Sequence, residues 1–262
     1  MRHHAVITLQ SSLSHIGQVE SIQAMFHRER MRTADGEDAY IPTYTGNAMR
    51  GMLRDHAMLD MLEVLAFERP LSLERFYTLF SGGALVSTTS AFTLQDERNL
   101  RHLLPAVSLF GTALGNHILQ GRVDIGKCYP VAQELLHILP EALHEEARAV
   151  SVYDMMTTES YTRFDDAKNA HYQQLFERPE IKGDAPQQMR YSVETMSAGS
   201  RLWWHYTFRR ANELEMQAFY AALAHWGMHP VLGGKPAVGH GEVSLEGDEI
   251  RITADAVTVP DF

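Results

Sequence analysis

Two stretches of this chain carry residues whose types and spacing suit the holding of an anion. The first is Gly233-Gly234-Lys235-Pro236-Ala237-Val238-Gly239-His240-Gly241. Glycines let backbone N–H groups approach phosphate oxygens closely, and Lys235 adds charge. A nucleotide-binding P-loop runs strand, loop, helix and needs Ser or Thr after its lysine. Here Pro236 follows Lys235 and the expected order is helix, loop, strand, so that motif is excluded. A structural turn and a contact to a nucleic-acid backbone remain, and four glycines in nine residues exceed what one turn requires. The second stretch is the helix expected to open at Gly46-Asn47, with Asn47 as its N-cap. Free N–H groups at a helix start favour anions. Arg50 and Arg54, spaced i and i+4, either extend such a site or form a solvated basic face.

Covalent chemistry finds less support. There is no Gly-x-Ser-x-Gly elbow and no His-Glu-x-x-His pattern. Histidine is plentiful, at 14. His137 and His144 lie two helical turns apart, and with His3-His4 they read as surface or packed rings rather than metal ligands. His15 stands out because Ser14-His15-Ile16-Gly17 follows the first expected strand. Glu20, Glu29, Asp35, Glu37 and Asp38 offer carboxylates for acid–base or metal work, and otherwise are solvated loop charges. The single cysteine, Cys128, excludes an internal disulfide and a Cys-rich zinc site and reads as a packed thiol. No metal, cofactor or catalytic residue is expected.

The elements that must position these residues can be read in outline. Residues 4–13 alternate as a strand, and a polar segment follows to about residue 40. A helix is predicted over 47–66, with shorter ones over 71–80 and near 96–103. Residues 105–119 are largely apolar, 121–129 read as a strand and 132–147 as a helix. Residues 153–188 are polar, Gln-rich and sprinkled with aromatics, which suggests a projecting insertion. Strands over 189–196 and 201–209, joined by Ser197-Ala198-Gly199-Ser200, are expected to pair as a hairpin. A helix over 213–226 follows, with Asn212 and Glu215 as its capping box. A last hairpin over 242–246 and 249–254 turns at Gly247-Asp248. The order β, α, β, β, α, β predicts an α+β, ferredoxin-like sandwich elaborated between its halves.

Composition sets outer limits. The 262 residues, 45% hydrophobic, suffice for one large domain with a real core. No apolar run approaches a membrane span, and residues 5–9 are too short for a signal peptide core. These features fit a reducing cytoplasm. The net charge is −10, from 23 basic and 33 acidic residues. Taken alone that argues against nucleic-acid binding. Yet Arg28, Arg30, Arg32, Arg50 and Arg54 gather within residues 26–54, so a basic groove on an acidic body is compatible with it.

Four segments resemble the RAMP superfamily of CRISPR proteins, and within it the repeated backbone subunits. They are Leu13-Ser14-His15-Ile16-Gly17; Ile41-Pro42-Thr43-Tyr44-Thr45-Gly46-Asn47-Ala48-Met49-Arg50-Gly51-Met52-Leu53-Arg54; Leu79-Phe80-Ser81-Gly82-Gly83 with Leu109-Phe110-Gly111; and the loop 233–241. The combination looks most like the type IV backbone subunit, with the type I-D one similar. The resemblance implies a single 1–262 unit with an RRM-like palm, a finger region over 55–120 and a thumb hairpin over 153–190. It implies many copies lined head to tail along a guide RNA (crRNA), with other effector subunits and a target nucleic acid, DNA rather than RNA, as partners. RNA contacts are then expected from His15, Arg28, Arg30, Asn47, Arg50, Arg54, Gly233, Gly234, Lys235, Gly239 and His240. Tyr161, Arg163 and Phe164 would wedge or stack against bases.

One departure bears on activity. Similar type III subunits cleave target RNA with an Asp that precedes the Arg-bearing stretch. Here Gly36-Glu37-Asp38 follows Arg28, Arg30 and Arg32, and residues 20–24 contain no Asp. RNA cleavage is therefore expected to be absent. The alternatives are a type III-like endoribonuclease using His15, Glu29, Asp35 or Asp38, and a mobile-element backbone-like protein that interferes with another effector.

Overall fold

The computed structural model describes residues 2–83, 93–114, 117–163 and 189–260. In chain order the strands and helices are β1 (Arg2–Leu9), β2 (Ile16–Glu20), β3 (Gln23–Phe26), β4 (Arg28–Arg32), β5 (Asp38–Pro42) and α1 (Gly46–Val64). Next come α2 (Leu73–Phe76), which runs into a π-helical turn Tyr77–Ser81, then α3 (Leu94–Leu103), α4 (Pro105–Phe110), β6 (Thr112–Leu114) and β7 (His117–Leu119). β8 (Val123–Ile125), β9 (Tyr129–Pro130), α5 (His144–Arg148), β10 (Met156–Arg163) and β11 (Met189–Met196) follow. The chain closes with β12 (Arg201–Phe208), α6 (Glu213–Gly227), β13 (Val243–Gly247), β14 (Arg251–Ile252) and β15 (Val257–Thr258).

The main sheet runs β15-β14-β13-β1-β12-β8, with β9 also on β12. β1 lies at its centre, antiparallel to both β12 and β13. With α1 between β1 and β8, and α6 between β12 and β13, this is the expected α+β ferredoxin-like order. Period-2 alternation puts Ala5, Ile7 and Leu9 of β1 on one face, opposite Trp204 and Leu202 of β12. That face is buried and packs on α6, where Phe219 meets Tyr206 at 4.6 Å between ring centres. Trp204, Trp226, Tyr206 and Phe219 are fully buried, each contributing roughly 2–3 kcal/mol by area. The α6 capping box at Asn212 and Glu215 forms as expected. Glu215 is also fully buried and accepts from Arg122 Nη1 at 2.9 Å and from the Ser108 hydroxyl, which ties α6 to α4 and to the start of β8.

Several expectations are corrected. β11 and β12 do not form a hairpin: they belong to different sheets. The segment 197–200 is where the chain crosses between sheets, held by Gly199 N–H to Leu9 O and Leu9 N–H to Ser200 O. β11 pairs instead with β10, from Met156↔Met196 to Arg163↔Met189, and β3 and β2 complete that second sheet. The second strand of the ferredoxin-like order is thus β8, not 189–196. The polar segment before residue 40 holds four strands, β2 to β5. The helix expected over 132–147 is two 3-10 turns and the short α5, with Pro140 breaking it. Residues 105–119 divide into α4, β6 and β7. β10 and the start of β11 fall within the segment 153–190 expected as a thumb, and residues 164–188 of it lie outside the described residues. Among the described residues no helix is long and apolar enough to cross a membrane.

Candidate nucleic-acid interface

Three of the four motif segments meet at the start of α1. Thr45, not Asn47, is the N-cap: its hydroxyl accepts from Ala48 N–H at 3.3 Å, and Asn47 sits exposed in the first turn. Thr45 N–H in turn donates to His15 Nε2 at 3.3 Å. The His15 ring lies 4.5 Å from that of Tyr44. Burial, then the neighbouring His27, pushes His15 down to about 4, so the ring is neutral near pH 7. His15 therefore fastens the helix start rather than supplying a cation. The Tyr44 hydroxyl, raised to about 12 by burial, accepts from Gly233 N–H at 3.2 Å. Gly234 N–H reaches Ser14 O at 2.9 Å, and the Ser14 hydroxyl returns to Gly234 O at 2.6 Å.

The Gly-rich loop uses its glycine amides internally. Gly233 donates to Tyr44, Gly234 to Ser14, Gly239 to Pro236 O and Gly241 to Ser12 O. A phosphate cradle made of these N–H groups is therefore not formed. Gly233 has φ +74°, and a Cβ there would lie 2.2 Å from Ser14 O. Lys235 takes a left-handed backbone, φ 66°. Its Nζ lies 4.6 Å from the ring centre of Tyr161 on β10 and 4.9 Å from that of Tyr191 on β11. The two tyrosines stack at 5.3 Å. His240, only 4% exposed, places Nε2 2.6 Å from the Tyr161 hydroxyl, which also lies 2.7 Å from Glu159 Oε2. Burial and then the Glu159 hydrogen bond and charge raise Tyr161 to about 12. Tyr161, Lys235 and His240 are thus one cluster. Tyr191, missed in the sequence, completes it: it stands directly opposite Tyr161 in the β10–β11 register.

Arg50 and Arg54 do not form a solvated face. Arg54 is 6% exposed and gives Nη2 to Phe110 O and Gly111 O, each at 2.8 Å. Arg50, half-buried, also donates to Phe110 O. Gly82 makes room for this: a Cβ there would lie 2.6 Å from Arg54 Nη1. Burial, then the like charge of Arg50, lowers Arg54 to about 10. Among the described residues no carboxylate forms an ion pair with either guanidinium. They line an open cleft of about 450 Å³ with Asn47, Gly51, Phe80 and Gly121. The third motif segment, 79–83 with 109–111, is the wall of this cleft.

Arg28 and Arg30 are placed otherwise. Arg28 forms a two-pronged pair with Glu194 of β11, one arm at 2.6 Å, and Glu194 also accepts Phe26 N–H at 2.9 Å. Arg30 pairs with exposed Asp38 at 2.6 Å. Lys127, another residue the sequence reading missed, pairs with Glu29 beside His27. The side chain of Arg163 and the whole of Phe164 lie outside the described residues. Among the described residues no group of three or more His, Cys, Asp or Glu is placed to hold a metal ion.

Neutral histidines give the fold a pH dependence of definite sign. His15, His56 and His205 all lie below their ordinary value, each through burial first. The folded state thus binds fewer protons than the unfolded one. Stability is complete above about pH 6.5 and falls as the pH drops toward 4. His15 alone is expected to account for about 1–2 kcal/mol, discounted for its partial contact with water. Melting temperatures measured between pH 7 and 4 should fall, and His15→Gln should flatten part of the fall. A flat profile would refute the assignment of neutral rings.

Comparison with known proteins adds the fold. No protein-family model matches the chain, and no curated protein matches it. Among solved structures it is similar to a chain of one titled "Type IV-B CRISPR Complex", with a TM-score of 0.67 and 24% identity, over 100% of this chain and 94% of that one. The likeness shows a shared α+β fold.

Proposed function

We propose that the chain is a non-catalytic guide-RNA-binding backbone subunit of a CRISPR effector, type IV-like, whose copies polymerise head to tail along the guide. The carrying observation is Arg50, backed by buried Arg54, at an open cleft where no carboxylate among the described residues pairs with either guanidinium. Two guanidiniums held this way favour an anion, and a phosphate diester suits Arg50's remaining N–H groups. Tyr161 and Tyr191 at the thumb root, beside Lys235, offer the stacking surface that splayed bases need. The fold shared with a chain of a CRISPR complex supports the reading. Arg54 and Arg28 leave the list of direct contacts, since carbonyls and Glu194 occupy them. Arg30 and the Gly233–Gly234 amides are likewise engaged within the chain.

Lack of chemistry belongs to the same proposal. Asp38 pairs with Arg30, Asp35 accepts from Thr33, and Glu29 holds Lys127. DNA as target, further effector subunits and a cytoplasmic setting complete it. The test is co-purification of the assembled complex, followed by extraction and sequencing of its nucleic acid. CRISPR-derived RNA protected in regular steps is expected. A monomer that ignores RNA even with its partner subunits present would sink the reading. Periodic cleavage of complementary RNA, lost in Asp38→Ala, would replace it with an endoribonuclease.

A further inference from the structure

The cleft beside Arg50 is larger than a phosphate needs, and cations are only part of its lining. Its volume is about 450 Å³, within the range of sites for small organic ligands. Phe80 and Ile118 give it an apolar wall, and Asn47 and Gln120 add side-chain amides. Ile118 is 79% exposed, and Phe80 is held by its stacking on Phe76 at 5.1 Å. Because Thr45 caps α1, the Asn47 amide has no capping role. Asn47 and Gln120 are both exposed, and neither side chain has a partner among the described residues.

Gly51 is an independent observation. It stands inside α1 next to Arg50, and its φ is not positive. Glycine there destabilises the helix relative to alanine. Yet among the described residues nothing lies within 4 Å of where its Cβ would stand. Gly82 across the cleft is different, since Arg54 fills the space beside it. A bare backbone that no neighbour requires, at the edge of a cleft, suits the close approach of a ligand.

Each kind of group matches one part of a nucleotide. Arg50 gives Nη2 to Phe110 O, and its Nε and Nη1 have no partner among the described residues. They suit a phosphate. An apolar wall with an aromatic ring suits the face of a base, and an amide, with a donor beside an acceptor, suits a base edge. We infer that the cleft takes a whole nucleotide, with its phosphate on Arg50, its base against Phe80 and Ile118, and Asn47 and Gln120 at the base edge. Gly51 is bare so that the sugar and phosphate can lie on α1. The inference rests on the proposed reading of Arg50 as a phosphate ligand and adds the base to it.

The experiment titrates the full chain with the four nucleoside monophosphates, and with ribose 5-phosphate and inorganic phosphate as base-free probes, by calorimetry. The nucleotides are expected to bind about tenfold more tightly than ribose 5-phosphate, or better. Gly51→Leu should raise the melting temperature, since leucine is the better helix former, and still weaken nucleotide binding about tenfold by filling the cleft. Asn47→Ala and Gln120→Ala should alter the ranking of the four bases, whereas Arg50→Ala should weaken all four alike. Equal binding of nucleotide and ribose 5-phosphate overturns the inference. So does an absence of nucleotide binding at millimolar concentration, or a Gly51→Leu protein that binds as the parent does. The two readings fail separately. Binding of phosphate alone, lost in Arg50→Ala, removes the base and leaves the RNA-backbone reading standing. Nucleotide binding by a chain that ignores RNA in the assembled complex sinks the guide-RNA reading and leaves the nucleotide site.

Discussion

Alanine at Arg50 is expected to weaken RNA binding by about ten- to a hundredfold and to lower the log–log salt slope by about 0.7 per copy. The magnitude is that of one charge-assisted contact to a phosphate of a single strand. The loss should be uniform across RNA sequences, because phosphates carry no sequence information. Folding should survive the change. Phe110 O, which Arg50 shares, keeps its bond from Arg54 at 2.8 Å. Arg50→Lys should recover the salt slope but only part of the affinity, since an ammonium lacks the planar fork. Arg54 gives the contrasting result. Arg54→Met removes the donor to Gly111 O and leaves Phe110 O to Arg50 alone, so stability should drop by about 1–3 kcal/mol. Filter binding across a salt series, beside urea denaturation, separates the two. If Arg50→Ala leaves affinity and slope unmoved, Arg50 is only a brace for the loop and the cleft is not a phosphate site.

Much of this arrangement could be read from the sequence, and the exceptions have physical causes. α1 and α6 were legible because amphipathic spacing and caps act locally. β1 was legible because one face is buried, which forces alternation. β2 was not, since all five of its residues are exposed and no pattern is imposed on them. The β11–β12 error came from a turn signal, Ser-Ala-Gly-Ser, that marks a change of sheet as well as it marks a hairpin. Thr45 displaced Asn47 as cap because Tyr44 and Cys128 exchange backbone hydrogen bonds, which fixes where the extended chain ends. Arg54 looked like surface because its partners are backbone carbonyls 56 and 57 residues away. Tyr191 became visible only with the β10–β11 register.

Gly233→Ala is expected to be strongly destabilising, costing about 3–5 kcal/mol, as is Gly241→Ala, whose Cβ would lie 1.9 Å from Leu232 O. Part is backbone: an L-residue at φ +74° pays about 1–2 kcal/mol. The larger part is collision. A Cβ 2.2 Å from Ser14 O forces the loop away from the strand end. That movement breaks Gly234 N–H to Ser14 O, the Ser14 hydroxyl to Gly234 O, and Gly233 N–H to the Tyr44 hydroxyl. These bonds join the motif segments, so RNA binding should fall with stability. Gly239 is the internal comparison. It also has positive φ, at 85°, but nothing lies within 4 Å of its Cβ position. Gly239→Ala should cost only the backbone share, about 1–2 kcal/mol. Gly234→Ala, whose Cβ would meet only Ser14 Oγ at 3.6 Å, should melt as the parent does. With folding intact, these two variants report whether RNA lies against the loop backbone, and Lys235→Ala reports whether the side chain makes the contact. A Gly233→Ala protein as stable as the parent would show that the loop does not close on Ser14, and the convergence of the motif segments would fail with it.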